Sequence, residues 1–432
     1  MMRRLIMLCA ILLLAACGGG GGGGGNDGSA DVSGGTPSSN PSVQANVVPI
    51  TVDHGPASLN ADSVSGISNV AYVSVTICAP GTQQCQTIDH VQVDTGSVGL
   101  RLLAGAVTPA LAAALPHQLD ASQRPTGECF HFFDGYVWGS IRSTDLTIGG
   151  ESASGIPMQL VGDTGFAQAP DGCVSSGSFD ESTVETLGAN GILGIGPQTT
   201  DCGAACSTGQ TGSAGYPYYA CPATGCVQIA QGENASAPNQ QLINPVSAFP
   251  IDNNGTVIAF PAVPDAGQDT LTGTLTFGIG TQGNNMLGAA QIFQITQESG
   301  LFTTIYNGAT LPYSYIDSGT NLMVFDDRSI AECPDSAYSG FYCPANTVTL
   351  SAVNEGENLV SGAVLFKVGN AEDMDSSQAV LPTLAVAASD LSTGNAVSSS
   401  FVWGLPFFYG RTVYTAIQGA ATPVGNGPYF AY

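Results

Sequence analysis

Two short runs of this sequence set a carboxylate where it can do more than keep the chain soluble. In "VQVDTGSVGLRLL", residues 91–103, an apolar approach ends at Asp94 and is followed by Thr95, Gly96 and Ser97. In "SYIDSGTNLMVF", residues 314–325, a second apolar approach ends at Asp317 and is followed by Ser318, Gly319 and Thr320. One such run is an ordinary turn, because Asp, Ser, Thr and Gly all favour turns. Two copies point to a pair. Carboxyls forced close together cannot both ionise easily, so they share a proton and supply a general acid and a general base at once. Such a pair can deprotonate water and protonate a leaving group without a metal. Gly96 and Gly319 allow a tight backbone. Thr95 and Ser318 are placed to bond across the loops, and Ser97 and Thr320 to bond the outer carboxylate oxygens.

Loops of this kind need strands on both sides to hold them. The chain supplies short alternating runs such as "YVSVTI", "LTIGG", "TVIAF", "TLTFGIG" and "TVYTAI", separated by turns rich in its 57 Gly and 25 Pro. Alternation over so few residues reads as strand, and the fold class is mostly β. "PALAAALP" and "QLINPVSAF" are the helix candidates. The ordered part is longer than one core usually holds, which predicts two lobes, residues 47–245 and 246–432, with a polar, Cys-rich insertion at about 198–240. The halves are internally similar: each Asp loop is followed later by two apolar residues and a glycine, in "GILGIG" at 191–196 and "FVWGLPFF" at 401–408.

"VDTGS" with "GILGIG", then "IDSGT" with "VWGLPFFYGRTVYTAI", resembles the pepsin-like aspartic proteases over nearly the whole ordered chain. "GTLTFGIG" at 273–280 is similar to the opening strand of their second lobe. The resemblance implies a bilobal β fold with a cleft, Asp94 and Asp317 as the catalytic pair, and a peptide or protein substrate. It also implies a β-hairpin flap over the cleft, for which "CFHFFDGYVWGSIRSTDLTIGG" at 129–150 is the match. The flap residues are then Phe132, Phe133, Asp134, Gly135 and Tyr136. Here the chain departs from the family, with Phe132 where a Tyr is expected and Arg101 where a Trp is expected. Phe has no hydroxyl to donate, which leaves Tyr136 or Trp138 to substitute and Arg101 to stack on an aromatic ring. The departure sets a second expectation beside the endopeptidase, a catalytically silent cleft that binds a peptide, protein or glycan, and a third, a structural or adhesive surface β protein.

The N-terminus sets an expectation for the compartment. Arg3 and Arg4 precede an apolar run that closes with "LLAAC", an export signal over residues 1–16 that is too short to span a bilayer. The ending resembles the bacterial lipobox, which implies lipidation at Cys17. Gly18 at the next position is similar to lipoproteins sent on to the outer membrane, so the periplasm or the outer membrane is the expected home. Residues 17–46, with eight consecutive Gly, read as a flexible tether. Without Arg3 and Arg4 the chain keeps six Lys and Arg against 33 acidic residues, which makes nucleic acid and anionic membrane surfaces poor partners. Membrane contact is expected through the lipid anchor alone, and the protein is expected to be a monomer.

Ten cysteines remain after Cys9 and Cys17, an even number in an exported chain, which favours disulfides. Cys78 and Cys85 bracket one loop and Cys333 and Cys343 another. Cys202, Cys206, Cys221 and Cys226 read as two disulfides, with a four-Cys zinc site as the alternative. Cys129 and Cys173 pair by elimination. No G-x-S-x-G, H-E-x-x-H or P-loop motif occurs, Lys367 is the only lysine, and His54, His90, His117 and His131 are dispersed. No metal and no cofactor are expected.

Overall fold

The structure, a computed structural model, describes residues 45–61, 67–133, 135–174, 179–203, 217–229, 241–388 and 399–432. The export signal, Cys17, almost all of the tether, Asp134, Cys206 and much of the insertion lie outside them. Of the described residues, strands make up 44% and helices 11%, in three short α-helices and several 3-10 turns, so the fold is mostly β as the alternation predicts.

In the first half, β1 (Val47–Val52), β2 (Ala71–Cys78), β3 (Cys85–Asp94) and β4 (Val98–Leu103) lead to Asp94 and away from it. A hairpin of β5 (Thr126–His131) and β6 (Gly135–Ile148) follows, then β7 (Glu151–Val161) and the short β8 (Phe179–Asp180). β9 (Gly191–Ile195) and the ribbon of β10 (Tyr218–Ala220) and β11 (Val227–Gln228) complete it. The second half opens with β12 (Gly255–Ala259), β13 (Leu271–Phe277) and β14 (Ile292–Gln294). β15 (Phe302–Tyr306), β16 (Ala309–Ile316) and β17 (Met323–Val324) carry the second Asp loop. β18 (Val348–Glu355), β19 (Ser361–Val368), β20 (Ala385–Val386) and β21 (Val402–Trp403) come next. β22 (Thr412–Ala416), the ribbon of β23 (Ala421–Thr422) and β24 (Gly425–Asn426), and β25 (Tyr429–Ala431) end the chain.

Among the described residues these strands form two large sheets and the separate two-stranded ribbon of β23 and β24. One has 16 strands in the order β11-β10-β5-β6-β7-β4-β9-β3-β2-β1-β13-β12-β22-β25-β14, with β8 on β6. The other has seven, in the order β19-β18-β15-β16-β21-β17-β20. The long sheet does not stop at the boundary expected near residue 245, because β1 pairs with β2 of its own half and, over all six of its residues, with β13 of the other. The alternation in β1 buries Val48, Ile50 and Val52 on one face, which fixes that register.

"PALAAALP" forms the helix Pro109–Ala114 with Pro at its first position, where a missing N–H costs nothing. "QLINPVSAF" forms only a 3-10 turn, Pro245–Ala248, capped by the Asn244 side chain. Disulfides join Cys78 to Cys85, Cys129 to Cys173, Cys221 to Cys226 and Cys333 to Cys343. Cys202 is also disulfide-bonded, so the cysteines of the insertion that are described are not zinc thiolates. Cys78 faces Cys85 directly across β2 and β3, stapling the hairpin that leads to Asp94.

Candidate active site

Each Asp loop is built by the same three-strand device. β3 ends at Asp94, β4 leaves the loop, and β9 runs between them, parallel to β3 and antiparallel to β4. In the second half β16 ends one residue before Asp317, β17 leaves, and β21 runs between them in the same senses. The glycine of each buttress is there for space. A Cβ on Gly194 would lie 2.7 Å from the Val98 backbone, and one on Gly404 only 2.0 Å from the Leu322 carbonyl oxygen. Under the second loop, Trp403 stacks on Phe401 at 4.0 Å and Phe401 on Phe325 at 4.7 Å, an aromatic pile that fixes β21.

The loops brace one another reciprocally. The Thr95 amide donates to Ser318 Oγ at 3.1 Å, and the Ser318 amide donates to Thr95 Oγ1 at 2.9 Å. Each hydroxyl then donates to a carbonyl of the opposite strand, Ser318 Oγ to Val93 at 2.8 Å and Thr95 Oγ1 to Ile316 at 3.4 Å. Within its own loop Asp94 accepts from the Gly96 amide at 2.7 Å, the Ser97 amide at 3.2 Å and Ser97 Oγ at 2.5 Å. Asp317 accepts from the Gly319 amide at 2.7 Å and Thr320 Oγ1 at 2.6 Å. The eight residues that the sequence singles out as the pair and its supports are thus brought together.

The two loop glycines serve a purpose the sequence does not disclose. Neither Gly96 nor Gly319 has a positive φ, so a tight backbone is not what requires them. A Cβ on Gly96 would sit 2.5 Å from Asp317 Cγ, and one on Gly319 would sit 2.5 Å from Asp94 Oδ1. Each glycine leaves room for the carboxyl of the other loop.

Asp94 and Asp317 are 6% and 9% exposed, within hydrogen-bonding reach of one another. Burial, then the charge of Asp94, push Asp317 up to about 8 against the pull of Thr320 and the Gly319 amide. Burial and both carboxyls also drive the phenol of Tyr315, two residues before Asp317 on β16, upward. Sequence reasoning passed over Tyr315 and its counterpart Gln92, whose Nε2 donates to the Gly319 carbonyl at 2.8 Å. The signal was the strand period, since each lies two residues before its Asp and so on the same face. Asn69 was also missed. Its side chain ties the first half to the second through Asn321, Leu381 and the Tyr409 hydroxyl.

The hairpin expected as a flap is formed by β5 and β6, with the Phe132 amide bonded to the Gly135 carbonyl at 2.8 Å across the tip. It is flanked on both edges, by β10 along β5 and by β8 at Gly135 and Tyr136, and Cys129–Cys173 ties it down. Phe132 is half-buried against Phe130, whereas Phe133 is exposed. The residues expected to substitute for the missing tyrosine lie in the interior. Tyr136 and Trp138 are buried in a cluster with Cys129, Phe166 and Cys173, and the Trp138 indole already donates to the Phe166 carbonyl at 2.7 Å. Among the described residues, no flap residue is hydrogen-bonded to Asp94 or Asp317. Arg101 does stack, its guanidinium 3.8 Å from the centre of the Phe130 ring.

A family profile described as "Protein of unknown function (DUF3443)" matches residues 42–432. The chain belongs to this family. The match spans both Asp loops, the hairpin and both buttressing strands, so the whole device lies inside the DUF3443 region. Comparison with curated proteins finds no match to the sequence.

Proposed function

We propose that this DUF3443 protein is an aspartic endopeptidase-like lipoprotein with two pseudo-symmetric β lobes in the pepsin-like arrangement, anchored at Cys17 to the outer membrane. The reading rests above all on one observation, the reciprocal brace of Thr95 and Ser318 that sets two buried carboxyls face to face. Asp317 carries the shared proton, and Asp94 takes a proton from the attacking water. As the water oxygen bonds to the peptide carbon, Asp317 gives its proton to the carbonyl oxygen. The proton on Asp94 then passes to the leaving nitrogen as the C–N bond breaks, and a hydroxyl of the diol returns its proton to Asp317 as the carbonyl reforms. Activity needs one proton on the pair, so the rate rises and then falls with pH in a bell.

The test is peptide cleavage by the purified soluble chain, with and without a pepstatin-type inhibitor, across acid and neutral pH. Asp94→Asn and Asp317→Asn should each abolish cleavage, and the double variant should be no worse than either, because the pair acts as a unit. Cleavage that persists in both single variants would end the assignment. The hairpin supports a second reading, a silent cleft that binds a peptide, protein or glycan, since Phe132 offers no hydroxyl and the hairpin is held on both edges. That reading requires no cleavage by the parent and ligand binding that survives both substitutions.

A further inference from the structure

Arg101 is a buried cation that the proposed chemistry does not use. Its side chain and those of Glu128 and Asp201 are at most 1% exposed. Nη1 donates to the Val98 carbonyl at 2.7 Å, and Val98 directly follows Ser97, which holds Asp94 through both its amide and its hydroxyl. Nη2 donates to Glu128 Oε1 at 2.9 Å and to Asp201 Oδ2 at 3.2 Å. The flat face lies on Phe130. Glu128 and Phe130 are two apart on β5, so Arg101 holds one face of the hairpin strand at two points. Tyr218 on β10 donates to Asp201 at 2.8 Å and accepts from the Leu242 amide at 2.7 Å, which extends the network to the strand flanking the hairpin.

Stability alone does not account for this network. Two carboxylates share one guanidinium, and burial together with Glu128 pushes Asp201 well above the ordinary carboxylate range. Among the described residues, Arg101 Nε and Glu128 Oε2 are buried with no hydrogen-bond partner. Apolar side chains of the same volume commonly stabilise such a site more than an incompletely bonded ionic group does. What the network supplies is direction, because the planar guanidinium fixes three partners at set angles.

We propose that Arg101 is a positioning residue that locks the β5–β6 hairpin to the Asp94 loop, through Phe130 and Glu128 on one side and the Val98 carbonyl on the other. Its effect on rate rests on the endopeptidase reading, while the mechanical coupling does not. The residue acts through Val98 and Ser97 on the carboxyl and touches no reacting atom itself.

The experiment uses the full chain with Arg101→Lys, which keeps the charge but loses the planar fork, and Phe130→Leu, which keeps every ion pair. Hydrogen exchange is followed at residues 96–98 and 129–136. Exchange should rise together in the two segments, by about tenfold in Arg101→Lys, the effect of one lost hydrogen bond, and by about three- to tenfold in Phe130→Leu, the effect of one lost cation–π contact. Against the peptide the parent cleaves, kcat should fall by about 10- to 100-fold with KM little changed. The pH profile of kcat should also shift, because the loop that carries one carboxyl of the pair is held less firmly. Faster exchange in the hairpin alone, or an unchanged kcat and pH profile in folded variants, overturns the proposal. If Arg101→Lys does not fold, Phe130→Leu decides it. If the parent cleaves nothing, the endopeptidase reading falls and the paired exchange still decides the coupling.

Discussion

Asp317→Asn should inactivate the protein and, at neutral pH, make it more stable. The folded chain holds a proton on Asp317 up to about pH 8, whereas the unfolded chain releases it near 3.8. Between those values the folded state binds more protons than the unfolded one. Stability is therefore fully present below pH 3.8 and declines as pH rises to about 8, by about 1.4 kcal/mol per pH unit. From pH 4 to pH 7 the loss approaches about 4 kcal/mol, an upper figure for a pair that titrates as a unit. Asparagine keeps the shape, accepts from the Gly319 amide as Asp317 does, and has no proton to lose. The variant should match the parent at pH 4 and exceed it at pH 7 by about 2–4 kcal/mol, a rise in Tm of a few degrees (about 5 °C at most). Thermal melts of both proteins at half-unit steps from pH 3.5 to 8 measure this difference. Comparing them cancels the self-repulsion of the acidic surface, which affects both alike. A variant no more stable than the parent at pH 7, or a difference that does not change with pH, would refute the reasoning.

Gly319→Ala should lower stability by about 1–3 kcal/mol and remove activity, because its Cβ falls 2.5 Å from Asp94 Oδ1; urea unfolding and the peptide assay check this. Cys17→Ala, outside the described residues, should leave the chain unprocessed or soluble, and radiolabelled fatty acid persisting on that variant would end the lipobox reading. Thiol titration of the denatured, unreduced protein should find none of the ten cysteines after Cys17 free. Stoichiometric zinc in the purified protein, lost together with the fold on adding a chelator, would contradict it.

The parts of the site that were legible in the sequence are those written locally. Asp94 and Asp317 stand out because each is followed at once by its own donors, a hydroxyl and a glycine amide within three residues. The strands were legible for the same reason, since period-two alternation is a property of neighbours. The parts that stayed hidden depend on contacts between distant segments. Nothing near Gly96 announces that Asp317, more than two hundred residues on, needs the space of its missing side chain. Asn69 reads as an ordinary loop residue until its bonds to Leu381 and Tyr409 are seen. The division at residue 245 looked natural because the two halves repeat, yet β1 joins them into one sheet, a pairing that no local pattern encodes.

The cost of the carboxyl pair bears on the choice between enzyme and silent binder. A cleft that only bound a ligand would gain stability at neutral pH from an amide in place of Asp317, by the few kcal/mol worked out for Asp317→Asn. The protein has both carboxyls, the brace that presses them together, and a glycine on each loop so that the opposite carboxyl fits. Destabilising arrangements of this kind are retained where function requires them. The hairpin argues less strongly the other way, because a missing hydroxyl on Phe132 removes one donor while the pair of carboxyls stays intact. On this ground we propose hydrolysis over silent binding, on the acid side of neutral, where the penalty on folding is smallest.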